Sequence, residues 1–143
     1  MSTSTPYITA QSLEERFGQG FLLAVTDPTN TGEIDQPKVS RALADAADLI
    51  DSYIGKRYVL PVPTVPPSLG RVAADLVRYF LMTDAPGEEV TARYKDGVQW
   101  LKNVSTGLVS LGLPEAKAPA SATGKVIVDG SRRLFTRRTM RGY

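Results

Sequence analysis

Two groups of residues have the composition that site chemistry requires. The first is the run Asp27-Pro28-Thr29-Asn30-Thr31-Gly32-Glu33-Ile34-Asp35, which has the outline of an EF-hand calcium loop. Oxygen-bearing side chains stand at loop positions one, three, five and nine, with Gly32 at six and Ile34 at eight. A calcium loop needs that pattern because oxygens must wrap one point and the chain must turn sharply at the glycine. Positions three and five are Thr29 and Thr31 rather than carboxylates, and position twelve, where a bidentate Glu is required, is Lys38. The reading adopted is therefore a polar turn that caps the next helix, with no metal site.

The second group is the basic stretch at the C-terminal end. From 125 to 143 six basic residues stand against one acidic, a net +5; the remainder has eleven basic and fourteen acidic residues, a net −3. The chain is thus an acidic body with a basic arm. Mobile guanidinium groups neutralise phosphates, and they also fork onto carboxylates of a protein. Leu134, Phe135, Met140 and Tyr143 are interleaved with Arg132, Arg133, Arg137, Arg138 and Arg141. Large apolar side chains among arginines favour a protein-docking arm that orders on binding, and these nine residues are the expected partner-binding set. A DNA-binding arm is the alternative, and salt-dependent DNA affinity separates the two.

Other chemistry finds no support in the residues. The sequence has neither cysteine nor histidine, which removes disulfides, Cys/His zinc sites and catalysis by either side chain. Asp45, Asp48 and Asp51 are spaced by three along a helical segment and read as a solvated face. Gly55-Lys56 and Gly124-Lys125 lack the glycine spacing and the following Ser/Thr of a phosphate loop. An enzyme is not expected, nor is a cofactor. No run approaches the ~18 apolar residues of a membrane span, and the Ser/Thr-rich start has neither the basic nor the apolar region of a secretory signal.

The elements that must carry these groups are helical. Residues 1–8 read as a flexible lead-in. Thr9 caps a short helix over Ala10–Phe17 that Gly18 stops, and Phe21–Val25 is one or two helical turns. Val39, Leu43, Ala46, Ile50, Tyr53 and Ile54 fall on one face of a helix from Gln36 to Ile54, capped by Asp35 and ended by Gly55. Arg57–Leu60 is expected to be extended, and the prolines from Pro61 to Pro67 a stiff polyproline connector. A second long helix is expected over Ser68–Thr83, with Leu69, Val72, Ala73, Leu76 and Phe80 on one side. The third spans Glu88–Thr106, with Val90, Tyr94, Val98, Leu101 and Val104 aligned, two acids in its first turn and Gly107 as its stop. Tyr53, Tyr58, Tyr79, Phe80, Tyr94 and Trp100 read as core and edge packing. The expected architecture is mainly α: a small bundle of three longer helices plus short N-terminal ones. Its body is 1–113, an Ala/Pro linker covers 114–124, and the extended basic arm 125–143 has a strand-and-turn pattern at Lys125–Gly130.

The sequence also resembles a family: the small Mu-like phage and prophage connectors found in head-morphogenesis gene blocks. The likeness begins with Tyr7-Ile8-Thr9, Leu13 with Arg16-Phe17-Gly18, and Thr26-Asp27 followed by Gly32-Glu33-Ile34-Asp35. It continues through Ala42-Leu43-Ala44-Asp45-Ala46, Ile50-Asp51-Ser52-Tyr53-Ile54 and Arg57-Tyr58 with Leu60-Pro61. Then come Pro66-Pro67 with Ala73-Ala74-Asp75, Arg78-Tyr79, and Arg93-Tyr94-Lys95-Asp96 with Trp100-Leu101. Val109-Ser110-Leu111-Gly112, Phe135-Thr136-Arg137 and Arg141-Gly142 complete it. Members often carry more acids in the loop that begins at Asp27, and Thr29 and Thr31 depart from that. The resemblance implies a helical head–tail adaptor, assembled as a ring of about a dozen copies beneath the portal. Its implied partners are the portal protein, a tail-completion or stopper protein and further copies of itself. DNA would cross the channel only as cargo. The implied location is the virion, and the host cytoplasm during assembly.

Overall fold

The computed structural model describes residues 6–82 and 84–116. Among them are five helices: α1 Ala10–Phe17, α2 Gln19–Thr26, α3 Gln36–Ile54, α4 Pro67–Leu81 and α5 Glu88–Thr106. The fold is mainly α, three longer helices with two short ones ahead of them. The strand-and-turn pattern at Lys125–Gly130 lies outside the described residues.

The helix ends follow local chemistry. Thr9 Oγ1 accepts the Ser12 N–H at 3.1 Å, and Gly18 takes a positive φ of 85° between α1 and α2. The Asp35 carboxylate accepts the Lys38 N–H at 3.1 Å, and Pro37 sits in the first turn of α3, where its missing donor costs nothing. The same rule corrects the second long helix: α4 starts at Pro67, one residue earlier than expected. It stops at Leu81, where the Met82 N–H turns back to the carbonyls of Arg78 and Tyr79. At the end of α5, Gly107 supplies the left-handed φ of 90°.

α3, α4 and α5 pack against one another in a three-helix core, and α1 lies on α3. Leu13, Ile50, Ile54, Leu69, Leu76 and Leu101 are wholly inaccessible to water. Gly97 lets α5 approach α4 closely: a Cβ there would lie 3.3 Å from Val72 Cγ1. One expectation of the sequence changes. Tyr7 and Ile8, read as lead-in, are buried in the core. Phe80, read as core and edge packing, is half-buried against the core, in an aromatic group in which the Tyr79 and Tyr94 rings stack at 4.0 Å. No described helix is long and apolar enough to cross a membrane.

The segment between α3 and α4 is not uniformly extended. The N–H groups of Arg57 and Tyr58 return to the Ile54 carbonyl at 3.0 and 2.8 Å, so the chain turns before it straightens. Tyr58 then forms an isolated antiparallel bridge with Glu115. In the proline run that follows, Val62 is buried and anchors the connector to the body.

Candidate functional site

The nine residues expected to bind a partner, Arg132, Arg133, Leu134, Phe135, Arg137, Arg138, Met140, Arg141 and Tyr143, lie outside the described residues. What is described is the place from which the chain runs towards them. Arg57, at the turn after α3, organises it. Its Nε and Nη2 donate to one oxygen of Glu115 at 2.9 and 2.6 Å. Its Nη1 donates to the carbonyls of Val104 and Val109 at 3.4 and 3.2 Å. The Arg57 carbonyl accepts the Ala116 N–H at 2.9 Å, and the Val59 N–H reaches the Pro114 carbonyl at 3.5 Å. Beneath this sits Tyr58, 1% exposed, whose hydroxyl accepts the Leu111 N–H at 2.9 Å. Residues 114–116, which composition places at the start of a linker, are thus bonded to the body.

A planar guanidinium can satisfy a carboxylate and two carbonyls together, which a lysine cannot. The two carbonyls belong to the end of α5 and the turn beyond it, where helix termini leave acceptors without intrahelical partners. Arg57 therefore closes α5 and fixes the chain's exit. Sequence reading treated Arg57 only as the start of an extended stretch; its partner Glu115 is 58 residues away, and no local pattern pairs them.

The loop resembling a calcium site is built differently. Asp27 Oδ1 accepts the Thr31 N–H and hydroxyl, each at 2.9 Å, and Oδ2 accepts the Gly32 N–H at 2.7 Å. Those backbone donors hold the Asp27 carboxyl below its ordinary pKa. Lys38, at the position that calcium coordination reserves for Glu, donates from Nζ to the Val25 carbonyl at 2.7 Å. The carboxylate is spent on its own loop and the twelfth position ends α2, which is the architecture of a capping turn. Among the described residues no group of three or more acidic, His or Cys side chains is placed to hold a metal ion.

The three aspartates of α3 separate. Asp45 and Asp48 are exposed, as expected of a solvated face. Asp51 is half-buried and accepts a hydrogen bond from the buried Tyr7 hydroxyl, which corrects that expectation. Burial raises the Tyr7 pKa, and the bond to Asp51 and its charge raise it further. On α4, Asp75 is half-buried; burial lifts its pKa, against the pull of the Arg93, Arg71, Arg78 and Arg16 guanidiniums. The Arg78 guanidinium lies over the rings of Phe17 and Phe21, at 5.3 and 5.6 Å, joining α4 to the short N-terminal helices.

Comparison with known proteins matches this frame. The family described as "Bacteriophage Mu, Gp36" matches residues 7–129. The chain is 31% identical over 137 residues to "Mu-like prophage FluMu protein gp36" of Haemophilus influenzae, covering 96% of this chain and 97% of that one. It is 36% identical over 123 residues to "Gene product J" of Escherichia phage Mu, covering 85% of this chain and 86% of the other. The matched region takes in the Tyr7 contact, every helix and the Arg57–Glu115 tie, so likeness and fold describe one and the same unit. The chain belongs to the Bacteriophage Mu Gp36 family of phage and prophage proteins.

Proposed function

We propose that this protein is a structural head–tail adaptor: a ring of identical subunits that docks to the portal and supports attachment of the tail. The observation that carries the reading is the chain's charge polarity, a net −3 body and a net +5 arm, in a member of a Mu phage family. An object with one sign on its body and the other on a tether is suited to joining protein surfaces in order. Arg57 and Glu115 supply the rigid base from which such a tether extends.

In this reading Arg132, Arg133, Arg137, Arg138 and Arg141 meet carboxylates of the portal or of a neighbouring subunit. Leu134, Phe135, Met140 and Tyr143 fill apolar pockets there. A tail-completion or stopper protein binds the opposite side, and DNA passes through without specific contacts. No catalytic step is involved, and the protein is carried in the virion after assembly in the host cytoplasm.

The test is removal of 125–143. The shortened chain keeps the helical circular dichroism and cooperative melting of the body, and it no longer copurifies with portal-bearing heads. If the shortened chain still completes heads normally, the docking-arm reading is wrong. If the full chain instead binds duplex DNA with a steep salt dependence that vanishes on truncation, the arm serves nucleic acid.

A further inference from the structure

Where the chain leaves the body, two extended segments lie side by side. The Val59 N–H reaches the Pro114 carbonyl at 3.5 Å and the Ala116 N–H reaches the Arg57 carbonyl at 2.9 Å, which pairs Tyr58 with Glu115 in antiparallel register. In an extended chain the N–H and C=O of one residue point the same way, and those of the next residue point the opposite way. Pro114 and Ala116 face the partner segment, so both backbone polar groups of Glu115 face away from it. Neither makes a backbone hydrogen bond among the described residues. Pro114 does not obstruct this outer edge, because its missing N–H belongs to the inner one. The opposite edge is already taken: there the Tyr58 N–H returns to the Ile54 carbonyl at 2.8 Å.

Glu115 therefore presents an open strand edge, and the Arg57 ion pair at 2.6 Å holds that edge in place. Pro114, Glu115 and Ala116 are all exposed, and the half-buried Leu111 and Leu113 leave apolar surface just ahead of them. Such an edge is a template for further pairing, which proteins cover or blunt. Two paired strands are marginal in water, and a third is what makes a small sheet persist.

A segment suited to that place stands close by in the sequence. Beyond Ala116, the eight residues 117–124 lead to Val126-Ile127-Val128, a run bounded by Gly124 and Gly130. Three successive β-branched side chains fit a pleated, half-buried surface. Eight residues reach up to about 26 Å, and neighbouring strands lie only about 4.8 Å apart, so the connection has ample length to reverse direction. A tether this short also keeps the run at high effective concentration beside the edge. The extent of the family match points the same way: it ends at residue 129, taking in this run with the helices and stopping before the arginines at 132–141.

We propose that residues 125–129 fold back within the same chain as a third strand on the outer edge of 114–116, meeting the N–H and C=O of Glu115. The basic arm is then divided. Residues 125–129 belong to the body, and 131–143 depart from a three-stranded base rather than from Ala116. The proposal goes beyond the adaptor reading and does not depend on it.

The Glu115 amide reads the contact directly. In the full chain its hydrogen exchange should be slower by about tenfold or more than in a chain ended at Gly124. Cross-strand nuclear Overhauser contacts should join Glu115 to residues 126–128. Replacing Val126, Ile127 and Val128 together by glycine should remove the protection as truncation does, with helical circular dichroism unchanged. A Glu115 amide that exchanges equally fast in the full and the ended chain overturns the proposal, and so does protection that survives the glycine replacements. Contacts found only between chains, in a sample mixing two isotope labels, overturn it as well, because they assign the strand to a second copy. None of these results bears on whether the chain joins heads to tails.

Discussion

At the scale of single residues, the body is held by a few polar groups whose partners are distant in sequence. Tyr7 and Asp51 are 44 positions apart and share a partly buried hydrogen bond. The folded Tyr7 hydroxyl keeps its proton more tightly than an unfolded one, whose pKa is about 10. Its contribution to stability is therefore complete below about pH 10 and is lost as the pH climbs towards the folded value. Urea midpoints measured from pH 8 to 11 should fall more steeply for the wild type than for Tyr7→Phe, with the two curves converging as the tyrosine ionises. Parallel curves would show that Tyr7 ionises freely in the folded state. Nothing in the sequence around Tyr7 announces this bond. Its flanks are polar, Ser/Thr-rich and proline-containing, and they read as lead-in because burial of Tyr7 and Ile8 depends on tertiary packing.

At the scale of elements, the helices were legible because their signals are local. Thr9, Asp35, Gly18 and Gly107 sit where caps and stops belong, and each does in the structure what its type predicts. The 3.6-residue periodicity of α3 likewise places Val39, Ala46, Ile50 and Ile54 in the core. What was not legible is the joining of elements. Phe80 follows the core periodicity of α4 and packs half-buried against the core, but its edge-on contact with Tyr94 of α5 is one that the periodicity of a single helix does not name. The Arg57 tie is the clearest case, since one side chain fixes the end of α5 and the exit strand together. Arg57→Lys should not replace it, since an ammonium cannot span those acceptors. We expect a loss of about 1–2 kcal/mol in unfolding free energy, with selective loss of hydrogen-exchange protection at the Ala116 amide. Unchanged protection at Ala116 would show that the exit is held by something other than Arg57.

At the scale of the whole molecule, the protein has a folded helical body with a precisely braced exit and a basic segment beyond it. The calcium-loop echo illustrates how function and architecture are separated at this scale. Its oxygens occupy suggestive positions, and the structure uses them to close a turn and cap α3. The charge polarity, by contrast, belongs to no element; in the proposed reading it acts between molecules, where body and arm meet surfaces of opposite sign. The residues proposed to dock carry no sequence signal beyond arginines interleaved with apolar side chains, so the sequence nominates them and does not place them.

The adaptor account is tested most directly by electron microscopy of particles made by a phage lacking this protein. DNA-filled or spilled heads and separate, complete tails, rejoined when the wild-type protein is supplied, are the predicted result. Normal virions with tails attached in its absence would contradict the account.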